Sequence, residues 1–224
     1  MRITSFSQPI RNKLKAARRE RLTAVARRRQ PNLTVVLENV HDPHNIGAVL
    51  RSCDSVGIRE IFVLYTEPQL DEERIEIGKN ASSGARKWID IHLYHDASAC
   101  FEHVTAHYRH IWATHLGESA TGLYDIDLTQ SVALLFGNEH DGVSEASLAY
   151  ATGNFLIPQV GMVQSLNISV ACAVTLYEAF RQRRAAGMYD AHNPMTAPQR
   201  DALIEAYLDR HDQKNYNKFV WKKG

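Results

Sequence analysis

Phe155–Arg184 reads FLIPQVGMVQSLNISVACAVTLYEAFRQRR, and this stretch decides the fold. A short apolar strand stops at Pro158, a glycine-bearing loop runs from Gly161 to Gln164, and Ser165-Leu166-Asn167 leads into a long helix. Val170, Val174, Leu176, Tyr177 and Phe180 recur at roughly helical spacing, and the helix runs out in Arg181, Arg183 and Arg184. Backbone amides at a helix N-terminus have no partner within the helix, so such a loop is a ready site for a polar ligand. Held between a strand and a helix, its geometry is fixed, and a cofactor is expected there.

Working outward, apolar strands alternate with helical patterns. Strands are predicted at Leu33–Glu38, Ile61–Tyr65, Trp88–Leu93, His110–Thr114, Val132–Phe136 and Phe155–Ile157. Helices are predicted over 10–29, 46–55, 97–107, 144–150, 166–184 and Pro198–Asp209. This order implies an α/β fold with a mainly parallel sheet and helices on both faces. The first helix would turn Ile10, Leu14, Ala17, Leu22 and Val25 to one side and end at Pro31. Residues 66–87 are the least regular, and the tail after Met188 is basic and aromatic (Lys214, Tyr216, Lys218, Phe219, Trp221, Lys222, Lys223).

At 224 residues and 44% hydrophobic content, the chain can bury a full core as one domain with appendages. The net charge of +1 alone argues against a nucleic-acid partner, but the distribution argues for one. Residues 1–30 hold ten Lys/Arg against Glu20, so that segment carries about +9 and the remainder about −8. The cations are mostly arginines, whose forked guanidinium suits phosphate. Arg18, Arg19, Arg21 and Arg29, with Arg181 and Arg183 at the far end of the long helix, are the candidate RNA contacts.

Cys53, Cys100 and Cys172 form no CxxC pair and read as reduced core residues. No signal peptide and no bilayer-spanning apolar run is seen, so a cytoplasmic protein without a membrane partner is expected. The dinucleotide fingerprint and the P-loop are both absent. His92 with His95, and His103, His107 and His110, read as packing or surface histidines, because no cysteine or carboxylate completes a zinc set. No metal is expected.

Two further segments carry chemistry. Asp42-Pro43-His44-Asn45 brings a rigid turn and polar side chains to the end of the first strand, where open α/β sheets bind ligands, and Arg51 follows on the helix. Gly137-Asn138-Glu139 follows the strand Val132–Phe136. Together, Asn45…Arg51, Gly137-Asn138-Glu139 and Ser165-Leu166-Asn167 resemble the three ordered motifs of the SpoU/TrmH branch of the SPOUT RNA methyltransferases, from about Arg27 to Tyr189.

That resemblance implies a C-terminal deep trefoil knot, which chains in general avoid. It also implies a homodimer paired through the knot region, S-adenosylmethionine as methyl donor, and 2′-O-methylation of RNA ribose. By matching positions, Arg51, Asn45, Glu139, Ser165 and Asn167 are the expected catalytic set. Thr114, Gly137, Ile157, Met162 and Leu166 are expected to cradle the donor. Arg51 would be a base or an electrostatic stabiliser, and a guanidinium suits the second role better because it stays protonated. Residues 1–30 form a basic helical extension, 31–188 the knotted methyltransferase domain and 189–224 a helical, basic and aromatic extension. Arg28-Arg29-Gln30-Pro31 before the first strand and Gln182-Arg183…Ala186-Gly187-Met188-Tyr189 after the long helix resemble the TrmH branch, whose substrate is the D-arm guanosine of tRNA (position 18 in tRNA numbering). A ribosomal RNA ribose methyltransferase and a non-catalytic knotted RNA-binding protein are the alternatives.

Overall fold

The computed structural model of the chain describes residues 16–67, 82, 84–115, 117, 120–138, 140–211 and 220–223. Strands β1 (Leu33–Glu38), β2 (Glu60–Leu64), β3 (Asp90–Tyr94), β4 (His110–Thr114), β5 (Thr121–Gly122), β6 (Val132–Phe136), β7 (Gly153–Leu156) and β8 (Val220–Lys223) form one sheet. Their order is β5-β7-β4-β6-β1-β2-β3-β8, and every pairing is parallel. A parallel sheet is covered on both faces, and accordingly β1, β3 and β6 are buried along their whole length.

The helices are α1 (Ala16–Arg27), α2 (Pro43–Val56), α3 (Ala97–His107), α4 (Glu145–Leu148), α5 (Ile168–Ala185) and α6 (Ala197–His211). Alternation along β1 sorts the core. Leu33, Val35 and Leu37 join Val49, Leu50 and Cys53 of α2 and Cys172, Leu176 and Ala179 of α5 on one face. Val36 faces the other side, with Phe101 and Val104 of α3. A smaller cluster, Ala26, Met195, Leu203 and Tyr207, joins α1 to α6.

The structure shifts several predicted boundaries. Helix α2 starts at Pro43, because the Asp42 carboxylate accepts from His44 N and proline suits the first helical turn. It stops at Gly57 (φ 88), where a Cβ would lie 2.8 Å from Arg28 O. Strand β3 begins at Asp90, since Ala85–Lys87 form a 3-10 turn. Strand β7 begins at Gly153, and α4 is a single turn. In α1 the buried residues are Leu22 and Ala26, whereas Ala17 and Val25 face outward. The edge strands β5 and β8 have no counterpart among the predicted elements.

Two arginines expected to contact RNA do not face solvent. Arg29 and Arg183 are fully buried. Arg29 donates to Tyr207 Oη (2.6 Å), Asp54 Oδ1 (2.5 Å) and the Ile58 carbonyl (2.9 Å), pinning the end of α1 to α2 and α6. Burial opposes its charge, but Tyr207 and Asp54 outweigh burial and raise its pKa. Arg183 donates to the carbonyls of Leu128 (2.8 Å) and Gln130 (2.7 Å) and to Asn32 Oδ1 (2.6 Å). Desolvation lowers its pKa to about 10. Both guanidiniums satisfy buried acceptors, so neither can reach a phosphate.

Candidate active site

Four neighbouring strands, β7, β4, β6 and β1, end along one edge of the sheet, with Thr114 beside Phe155 and Leu37 beside Phe136. The predicted positions Thr114, Gly137 and Ile157 therefore line up at the C-terminal edge, where open α/β sheets bind ligands. Thr114 Oγ1 donates to the Leu135 carbonyl at 3.3 Å. Ile157 is half-buried and packs on the core below. The loop from Pro158 to Ser165 is exposed, Met162 almost completely so, and Leu166 is half-buried.

Two helices start at this edge. Asn167 caps α5, its Oδ1 accepting from Ser169 N at 2.9 Å and from Ser169 Oγ at 2.6 Å. Its Nδ2 donates to Asn45 Oδ1, in the first turn of α2, at 3.1 Å. One asparagine thus spends its oxygen on its own helix and its amide on the next, tying the two N-termini together. Each helix contributes a partial positive charge at this point, which suits a carboxylate or a developing oxyanion. Arg51 is exposed on α2, about 9 Å along the axis from Asn45 at 1.5 Å per residue. Its guanidinium makes no hydrogen bond or ion pair among the described residues.

The loop after β6 is folded back on itself. Asn138 Oδ1 accepts from His140 N (2.8 Å) and Asp141 N (2.6 Å), and Gly142 takes φ +70. A Cβ at Gly137 would lie 1.9 Å from the Gly142 carbonyl group, so glycine is demanded by the loop's own backbone. Glu139 lies outside the described residues.

One anchor has no motif to announce it. Glu38, at the end of β1 and 1% exposed, accepts from Ser144 N (2.9 Å), Ser144 Oγ (2.6 Å) and Ser147 Oγ (2.6 Å). It fastens the end of the Gly137–Gly142 loop to the strand that leads into α2. The available signal is a carboxylate closing an otherwise apolar strand, LTVVLE. Asn39 follows with φ 50 and bonds Thr66 through both ends of its amide, joining the ends of β1 and β2.

Of the remaining candidates, Ser165 is exposed beside the Asn167 cap. Arg18, Arg19 and Arg21 are exposed on α1. Arg181 is exposed on α5 with its guanidinium on Glu178 (2.7 and 2.8 Å).

Residues 32–177 match the family described as the SpoU rRNA Methylase family. The chain belongs to this family. It is 46% identical, over 78% of its length and 87% of the relative's, to the tRNA (guanosine(18)-2'-O)-methyltransferase of Thermus thermophilus. Among solved structures it is similar to the A. aeolicus TrmH/SpoU tRNA modifying enzyme, with TM-score 0.77 and 30% identity, covering 88% of this chain and 98% of that one. It is also similar to an AdoMet-bound rRNA methyltransferase from Sinorhizobium meliloti, with TM-score 0.58 and 29% identity over 71% of this chain and 60% of that one. The SpoU matches agree with the motif reading and with the parallel α/β architecture. Among the described residues no helix is long and apolar enough to cross a membrane.

Proposed function

We propose that this chain transfers a methyl group from S-adenosylmethionine to the ribose 2′-oxygen of the D-arm guanosine of tRNA, guanosine 18. The observation that carries the reading is the Asn167–Asn45 hydrogen bond, which joins two helix N-termini at the C-terminal strand edge with Arg51 exposed on one of those helices. The 46% identical Thermus relative supports guanosine 18 as the target.

The residues present fit the donor. Half-buried Ile157 and Leu166 offer an apolar wall, the 158–165 backbone offers exposed donors and acceptors, and the two helix ends favour a carboxylate. S-adenosylmethionine would supply the methyl group and leave as the thioether S-adenosylhomocysteine, the 2′-hydroxyl proton passing to solvent. Thr114 and Gly137 flank the same edge. Asn167 and Ser165 hold the loop-to-helix junction, and Asn45 fixes the start of α2 relative to it. Glu139 is assigned to the donor side by its place in the motif. Arg51, through its forked guanidinium donors, stabilises charge developing on the ribose oxygen or clamps the adjacent phosphate. No metal has a role in this reading.

The chain acts as a homodimer in the cytoplasm. Val160, Met162, Val163, Val170 and Tyr177 are exposed apolar residues on the donor loop and α5, and a second copy would cover them. The family's trefoil knot is assigned to the segment that returns from β7, outside β4, to α5 packed against α2. The basic exposed face of α1 and the basic tail serve as extensions that hold folded tRNA.

The test is nuclease digestion and nucleoside mass spectrometry of tRNA after reaction with the purified protein, S-adenosylmethionine and a chelator. 2′-O-methylguanosine from the D-arm is expected. A base-methylated product, a ribose methyl confined to ribosomal RNA, or loss of activity to the chelator would each remove a separate part.

A further inference from the structure

A polar concavity lies where α1, α2, the Ala85–Lys87 turn and α6 meet. Its volume is about 300 Å³, and Arg18, Asp54, Lys87, Trp88 and His211 are among the residues that line it. That is the lower end of small-ligand sites, roughly 300–1,000 Å³ and ample for a phosphate with part of its sugar. We infer that this cavity binds a backbone phosphate of the RNA strand carrying the acceptor ribose, with Arg18 and Lys87 as its cationic contacts. The inference rests on the RNA methyltransferase reading above and adds a subsite to it.

The position follows from helix geometry. Asp54 comes three residues after Arg51 on α2, and residues so spaced share a face with Cβ atoms about 5–6 Å apart. The cavity is therefore lined by the helix that carries Arg51, at a residue one turn beyond it and away from the donor loop. Its charge follows from the Arg29 clamp. An Asp54 carboxylate would repel an anion, but its Oδ1 is held by Arg29 Nη2 at 2.5 Å, leaving that wall close to neutral. Arg18 makes no hydrogen bond or ion pair among the described residues.

The walls are also fixed before anything binds. Tyr207 Oη receives from Arg29 Nε and donates to the Trp88 carbonyl at 2.8 Å, which locks the turn to α6. Lys87 Nζ donates to the His211 carbonyl at 2.7 Å and sits 5.5 Å over the Trp88 ring. An ammonium held this way has lost side-chain freedom already, so less is lost when an anion arrives. Contacts of this kind orient the RNA without reading its bases.

The test is filter binding of tRNA from low to high salt, using the full chain and the variants Arg18→Ala, Lys87→Gln and the double variant. Each lost phosphate contact lowers the log–log salt slope by roughly 0.7–0.9. The double variant is expected to lose about ten- to hundredfold in tRNA affinity, with a slope shallower by roughly 1.4–1.8 if each cation neutralises one charge. KM for tRNA should rise while kcat stays within about twofold, and S-adenosylmethionine affinity should not change. Should Lys87→Gln melt early, Arg18→Glu on the exposed face of α1 carries the test, with a larger affinity loss expected. An unchanged affinity, or weaker binding with an unchanged slope, overturns the subsite. If wild-type protein makes no 2′-O-methylguanosine yet the variants still flatten the salt dependence of tRNA binding, the reaction assigned above fails while the subsite stands.

Discussion

The two ends of α2 are built to opposite plans. At its start, Asn45 is partly open to solvent and bonded across to Asn167, and Arg51 farther along is exposed. At its end, Asp54 and the Ile58 carbonyl are bonded to a buried guanidinium, and Gly57 closes against the Arg28 carbonyl. The same residue type thus has two fates within one region: Arg29 is saturated by protein acceptors, and Arg51 has none among the described residues. Anchored at Asp54, one turn beyond Arg51, the helix presents that charged side chain at a fixed place. Saturation marks arginines that hold the fold, and exposure without partners marks those available to RNA.

The comparison breaks most visibly if the buried arginine is expendable. Arg29→Ala takes its donor from the buried Tyr207 hydroxyl and Ile58 carbonyl, while Asp54, 34% exposed, falls back on solvent; two buried acceptors left unpaired cost about 2–6 kcal/mol at roughly 1–3 each. Urea unfolding should record a loss of that size. A loss below about 1 kcal/mol would mean that α2 is not anchored through Arg29.

A second buried polar cluster should respond to acid by a similar or slightly smaller amount. Burial alone would raise the Glu60 pKa, but His92 Nε2 (3.1 Å) and Tyr108 Oη (2.8 Å) hold it down to about 2. A depressed carboxylate contributes stability that is complete above its unfolded pKa and fades as pH falls through the folded one. Between about pH 4.5 and 2 the protein should lose roughly 3 kcal/mol from this group, since each tenfold change in proton affinity is worth about 1.4 kcal/mol. In Glu60→Gln that segment of the stability profile should flatten, and an unaltered acid limb would assign the loss elsewhere.

At the open end the cost should be smaller. Asn167→Ala removes the α5 cap and the link to Asn45, worth about 1 kcal/mol for the cap. Donor affinity and turnover should both fall, because the loop-to-helix junction loosens. Isothermal titration with S-adenosylmethionine beside thermal melting separates the two, and a stability loss with unchanged donor affinity would detach Asn167 from the donor site.

Much of this contrast is legible in the sequence, and the part that is not has a physical reason. Asn45, Gly137, Ile157 and Asn167 follow strands or open helices, so parallel pairing alone brings them to one edge. The Asn45–Asn167 bond spans 122 positions and cannot be read from local pattern. Arg29 and Arg183 look like RNA contacts in the sequence because composition reports charge and says nothing of depth. Their acceptors are backbone carbonyls and side chains such as Asn32 and Tyr207, scattered along the chain. Glu38 is hidden for the same reason, since a carboxylate at a strand end reads as solvated until Ser144 and Ser147 are folded over it. In α5 the helical period holds, but the face that packs inward runs through Ile168, Cys172, Leu176 and Ala179, leaving Val170 and Tyr177 exposed.

Arg51→Ala should have the smallest effect on stability, within about 0.5 kcal/mol, as for surface positions generally. The most direct test of the account follows from it: single-turnover methyl transfer to tRNA by this variant, set beside its equilibrium affinity for S-adenosylmethionine. The prediction is a transfer rate lower by about 10²–10³, the range seen when one stabilising donor is removed from a developing oxyanion, with donor affinity unchanged. Transfer at close to the wild-type rate would contradict it, as would a loss explained wholly by weaker donor binding.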